Sequence, residues 1–224
     1  MRLNWEDERT LVIVILIFAV FTAVVLSSYI GVVFLGYGLL YYISLGSRNV
    51  YEFSIKRMQW GKSIFLGLFV LFAFLVISAT YNSFLTGEFN LFSSVQSMSS
   101  PSYIPLTLEN PVIKFLIYGV TIALLETLFI LGFVGKFLAN KLNVHKFNLY
   151  NMNMWICVAM VGAISVLLHL ASGAISELNL IMDFIFFSVS MLSTIYFNEL
   201  KQAGIAHVGI NSMQVLRTLG VAFI

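Results

Sequence analysis

Hydrophobic positions in this chain run in unbroken tracts rather than alternating. Apolar tracts cover 10–46, 63–85, 112–138, 151–174, 178–198 and 203–224, with short polar segments between them. Built as one helix, the first tract would be roughly 55 Å long at ~1.5 Å per residue, against a hydrocarbon core of ~30 Å. It is therefore split near Ser27-Ser28-Tyr29. The alternative is a single long, kinked helix, which would leave six spans. The pattern predicts an all-α, polytopic membrane helix bundle. A single integral membrane domain fills 1–224, with seven spans at about 10–27, 30–46, 63–85, 112–138, 151–174, 178–198 and 203–224. No internal repeat or low-complexity linker interrupts it.

The polar segments predict an orientation. Residues 47–62 carry Arg48, Lys56, Arg57 and Lys62 against Glu52 alone, and residues 139–150 carry Lys141, His145 and Lys146. Residues 86–111 hold all three prolines (Pro101, Pro105 and Pro111) and no Lys or Arg. By the positive-inside rule the basic loops are cytoplasmic. Basic and basic-poor loops alternate, which puts the N-terminus inside and the C-terminus outside. Tyr51 and Trp60 suit a membrane interface. Phe89, Phe92 and Val95 recur every three residues, the mark of a short interfacial helix. The first apolar run lacks a small-residue cleavage site and is expected to stay as a signal anchor.

Composition agrees with this pattern. The chain is 60% hydrophobic, has mean hydropathy +0.96, and is 10% charged, against about 25% for a soluble domain. The expected location is that of a multi-pass integral membrane protein, the cell membrane if the host is a prokaryote, with the lipid bilayer as its first partner. The net charge of +2 resides in short loops and gives no nucleic-acid footprint. Cys157 is the one cysteine. It permits no intramolecular disulfide and no zinc-finger spacing, and reads as a buried small apolar residue.

Ionisable residues inside the spans are few: Glu126, His169, Asp183, His207 and Arg217. A charge at bilayer depth costs at least ~2.5 kcal/mol, so each needs a reason. Glu126 shares a helix face with Gly119, Ala123 and Phe133, so the carboxylate points into the bundle. His169 shares its face with Gly162, Ser165, Ser172 and Gly173. His207, Asn211 and Gln214 lie on one face of the last span. Three helices thus present polar faces, and joining them around a common cavity is economical. Glu126 lies ~18 Å and His169 ~27 Å along their helices from the cytoplasmic loop between them, and His207–Asn211 lie ~8–14 Å into the last span, so the depths do not coincide. Plain helix adhesion by polar contacts, at ~0.6–2 kcal/mol each, is the structural alternative. Asp183 and Arg217 lie near the outer ends of antiparallel spans and read as a structural ion pair.

Three fragments resemble the motifs of the CAAX prenyl protease and bacteriocin-processing family of intramembrane glutamic proteases. Glu126-Thr127-Leu128-Phe129-Ile130-Leu131-Gly132 resembles a degraded EExxxR motif, Ser165 to His169 resembles FxxxH, and His207 to Asn211 matches HxxxN. The basic segment ending Met58-Gln59-Trp60-Gly61-Lys62 resembles the family's lead-in. The likeness covers the last half of the chain; the first half resembles the family only in hydropathy. Thr127 stands where the second Glu belongs, Leu131 replaces the Arg and Ser165 replaces the Phe.

The resemblance implies a catalytic set of Glu126, His169, His207 and Asn211. Glu126 and His169 would activate a water, and His207 and Asn211 would stabilise the oxyanion. It implies an intramembrane endopeptidase acting on a peptide or protein substrate, prenylated or bacteriocin-like, with no cofactor. A metal held by the Glu and His side chains is a less favoured alternative, since HExxH is absent. Two other functions stay open. One is an inactive relative acting as a membrane peptide-binding, immunity or regulatory protein. The other is a small transporter using protonatable Glu and His groups.

Overall fold

The computed structural model describes residues 8–26, 29–45, 49–53, 60–92, 110–171 and 177–218. Their regular elements are all helices, with no strand among the described residues. We number the helices α1 (Glu8–Leu26), α2 (Tyr29–Ser44), α3 (Trp60–Thr86), α4 (Pro111–Lys141), α5 (Met152–Ala171), α6 (Glu177–Phe197) and α7 (Lys201–Thr218). The all-α expectation holds, and each described helix falls on one of the expected spans. The tract 10–46 folds as two helices, and they pack side by side at Gly38, where an added Cβ would meet Leu16 at 2.7 Å. The expected loop basic residues Arg48, Lys56 and Arg57, the prolines Pro101 and Pro105, Val95, and Ser172 and Gly173 lie outside the described residues.

Four stretches are long and apolar enough to cross a membrane: Gly61–Thr86, Pro111–Lys141, Met152–Ala171 and Leu180–Phe197. The apolar parts of α1 and α2, Arg9–Phe21 and Gly31–Ser44, are shorter. The surface matches this composition. Phe18, Phe21, Phe65, Phe69, Phe72, Leu167 and other large apolar side chains face outward, while Thr121, Glu126, Thr127, Ser165, Thr194 and His207 are buried. A soluble protein rarely exposes apolar surface on that scale.

The bundle is organised on α4, which has the largest buried share of those four stretches. Its start is set locally. Asn110 Oδ1 accepts hydrogen bonds from the backbone N–H groups of Val112 (3.0 Å) and Ile113 (3.2 Å), and Pro111 needs no N–H at that position. The helix then leaves α geometry twice. Phe115–Ile122 and Thr127–Gly135 are π-helical, and Ala123–Glu126 is one α turn between them. The Thr121 hydroxyl follows the wider ladder and donates to Leu116 O, five residues back, at 2.8 Å. π segments are rare and are frequent at functional sites; Glu126 closes the α turn between this pair.

Small residues let neighbours close on α4 and on each other. A Cβ at Gly132 would stand 2.6 Å from the Tyr41 ring of α2, and one at Gly162 of α5 would stand 2.6 Å from Ser188 Oγ of α6. Small residues at helix contacts are what packing in lipid requires, since tails supply no hydrophobic drive between helices. Between α2 and α3, residues 49–53 insert into the bundle. Val50, Tyr51 and Phe53 are buried. Tyr51 N–H donates to Gly132 O at 3.0 Å, inside the second π segment, and Leu200 N–H donates to Glu52 O at 3.0 Å. The Tyr41 hydroxyl donates to Tyr51 O at 2.8 Å. Lys136 Nζ stands 4.4 Å from the centroid of the Tyr51 ring, and burial holds that phenol above its ordinary pKa.

Candidate active site

Glu126 Oε2 lies 3.3 Å from His207 Nε2, and Glu126 Oε1 lies 3.7 Å from His169 Nε2. Helices α4, α5 and α7 therefore deliver one carboxylate and two imidazoles to a single point. The three groups meet although their expected depths differed. The start of α7 is packed inside the bundle: Leu200, Lys201, Gln202 and Ala203 are all buried, with Phe53 packed on Gly204.

The hydrogen bonds fix how each ring is turned. His169 Nδ1 stands 2.8 Å from Ser165 O. A carbonyl only accepts, so Nδ1 carries the hydrogen and Nε2 faces Glu126. His207 Nδ1 stands 3.0 Å from Thr127 Oγ1, and Thr127 Oγ1 donates to Ala123 O at 2.8 Å. The residue that departs from the family motif thus supports the second imidazole.

Aromatic rings wall the cluster. The His207 ring lies 4.8 Å from the Phe186 ring and 5.3 Å from the Phe187 ring, centroid to centroid. Phe187 also reaches the His169 ring, at 6.2 Å. Both phenylalanines are buried. Access is asymmetric. The His169 side chain is 17% exposed and that of Asp183 18%, whereas Glu126 and His207 retain 8% and 5%. The cluster is open on the side of α5 and α6 and closed on the side of α7.

Asn211 is on the same face as His207, as its spacing predicted, but one turn farther along. Its Nδ2 donates to Tyr118 O at 3.3 Å, which ties α7 to the first π segment. It shows no contact with Glu126. Asp183 also joins the polar cluster, with Oδ2 3.7 Å from His169 Nδ1. The signal for this was present in the sequence: an acidic residue inside an apolar run, on the helix following His169. Leu131, at the motif's Arg position, is fully buried among apolar neighbours. Cys157 is buried, as expected. Among the described residues no group of three or more His, Cys, Asp or Glu side chains is arranged to hold a metal ion.

A carboxylate between two imidazoles is an acid–base device. It accepts a proton from a nearby water and has two nitrogens on which to pass or balance that charge. The low-dielectric surroundings strengthen each of these interactions. Among known proteins, no family model, curated protein or solved structure matches the chain.

Proposed function

We propose that this chain is an intramembrane endopeptidase of the glutamic type, as the resemblance to the CAAX protease family implies. In this reading all seven helices cross or enter the bilayer, and the basic loops face the cytoplasm. Glu126 takes a proton from water, and His169 on the more open side of the cluster orients that water. His207 and Asn211 supply hydrogen-bond donors to the tetrahedral oxyanion. The substrate is a peptide or protein with an apolar segment, prenylated or bacteriocin-like. It reaches the site from the α5–α6 side, where His169 and Asp183 are partly exposed.

One observation carries the reading: the buried Glu126 carboxylate held within 3.7 Å and 3.3 Å of two Nε2 atoms from two other helices. Adhesion between helices would be served by any two of these groups. The convergence of all three on one point suits proton transfer.

A second reading is favoured by Leu131 and Thr127, which fill the places of the motif Arg and Glu with a buried leucine and a buried hydroxyl. A relative that has lost hydrolysis would bind a membrane peptide without cutting it. The separating experiment uses purified protein in detergent or lipid nanodiscs, apolar and farnesylated peptides, and product detection by mass spectrometry. Cleavage by the wild type and none by a folded Glu126→Gln variant supports the peptidase. Retained cleavage in Glu126→Gln refutes it. Peptide binding without cleavage in either protein supports the second reading.

A further inference from the structure

The proton count around Glu126 bears on a residue that the motif comparison treats as a loss. Two oxygens 2.8 Å apart need a hydrogen between them, and this is the distance from Thr127 Oγ1 to Ala123 O. The carbonyl has none, so the hydroxyl hydrogen of Thr127 points along α4. The same hydroxyl then has only lone pairs for His207 Nδ1, 3.0 Å away, and Nδ1 must bring the hydrogen. Thr127 and His207 are both buried, so solvent does not compete for either bond. His207 Nε2 is left facing Glu126 Oε2 at 3.3 Å. Two unprotonated lone pairs at that distance would repel. A bridging water has no room between atoms already that close. One proton must therefore lie between Nε2 and Oε2.

We propose that Thr127 is a positioning residue. Its hydroxyl locks His207 with hydrogen on Nδ1, which makes Glu126 and His207 a pair that shares one proton. This inference rests on the peptidase reading only for its effect on rate; the locking itself is a property of the folded chain. It also changes the part played by His207. The imidazole is the proton partner of Glu126, taking at Nε2 the proton that Oε2 releases, and it donates to an oxyanion only when it holds that proton. Thr127 thus does for His207 what the Ser165 carbonyl, 2.8 Å from Nδ1, does for His169. Orienters of this kind fix both the tautomer and the ring plane of the histidine they hold.

The test uses full-length protein labelled with 15N and 13C histidine in nanodiscs, with His207 assigned by its loss in His207→Gln. The wild type and Thr127→Ser are expected to show His207 protonated at Nδ1. Thr127→Val, which keeps the shape and removes the hydroxyl, is expected to show mixed tautomers or a neutral ring protonated at Nε2. A neutral wild-type His207 carrying its proton on Nε2 overturns the proposal without any variant. An unchanged His207 spectrum in folded Thr127→Val overturns it as well. Where peptide cleavage is measurable, kcat is expected to fall about 10- to 100-fold in Thr127→Val with KM held, and to return in Thr127→Ser. Absence of cleavage in the wild type would count against the peptidase reading alone, since the spectra report the lock independently.

Discussion

Asp183 of α6 and His169 of α5 face each other across the more open side of the cluster, Oδ2 3.7 Å from Nδ1. The same Nδ1 is held at 2.8 Å by Ser165 O, so the carboxylate acts on an imidazole that is already oriented. Its contribution is charge: a second anion, beside Glu126, that favours positive charge on His169. Asp183→Asn keeps the shape and removes that charge. In the peptide cleavage assay it is expected to lower kcat roughly tenfold, with the melting temperature within a few degrees of wild type. A change in melting temperature with no change in kcat would instead give Asp183 the purely structural role its sequence position suggested.

Glu126 makes the sharpest contrast between chemical and structural roles. Glu126→Gln retains the shape of the side chain and supplies an amide that can donate to one Nε2. Glu126→Leu leaves two buried imidazoles without their partner. An unsatisfied buried polar group costs about 1–3 kcal/mol. The expected order in thermal stability is wild type close to Glu126→Gln, with Glu126→Leu clearly lower. Both variants are expected to be inactive, with cleavage down at least ~100-fold. A Glu126→Leu protein as stable as the wild type would mean that the imidazoles do not depend on the carboxylate.

Much of this arrangement was legible in the chain, for physical reasons. Long apolar tracts leave few options other than helices, because backbone groups in lipid must be satisfied within the segment. The cost of an ionisable group in an apolar run singled out Glu126, His169 and His207, and the structure brings these together. What escaped was whatever depended on helix geometry or on partners distant in sequence. Counting at 1.5 Å per residue assumes α geometry and a start at the membrane surface. The π segments of α4 break the first assumption, and α7 starts at a residue packed inside the bundle, Lys201. Thr127 read as a missing glutamate because its partner, His207, is 80 residues away. Nothing in the segment of Asp183 alone reveals that α6 packs along α5 and brings the carboxylate to His169.

The α5–α6 contact gives a prediction free of any assumption about activity. At Gly162 an added Cβ would fall 2.6 Å from Ser188 Oγ and 2.8 Å from the Phe184 ring. The hydroxyl can rotate away, and the half-exposed Phe184 ring must shift as well. Gly162→Val is expected to separate the helices that carry His169 and Asp183, at a cost of about 1–3 kcal/mol from overpacking. Thermal unfolding in detergent reads the loss directly. Gly36, where an added Cβ meets nothing within 4 Å, is the control: Gly36→Ala should leave stability unchanged or slightly raised. Equal effects at the two sites would show that the α5–α6 packing is looser than these distances require.

The start of α7 holds a second buried polar group that bears on how the site is held in place. Lys201 Nζ lies 3.2 Å from Glu199 Oε2, with the lysine side chain only 3% exposed, and Gln202 Nε2 donates to Glu199 Oε1 at 2.6 Å. Glu199 therefore satisfies two donors at once, on the same helix start that leads to His207. Removing the carboxylate leaves a buried lysine charge. Breaking one side of such a pair costs about 3–5 kcal/mol, whereas replacing both charges by apolar groups is often neutral. Glu199→Gln and Lys201→Met are each expected to destabilise the protein strongly. The double variant is expected to recover most of the loss, and a double-mutant cycle on thermal or denaturant unfolding measures the coupling. Additive losses would show that each residue acts through a separate partner. Full recovery of stability without recovery of cleavage would show that the pair also sets the position of α7, and with it the distance between His207 and Glu126.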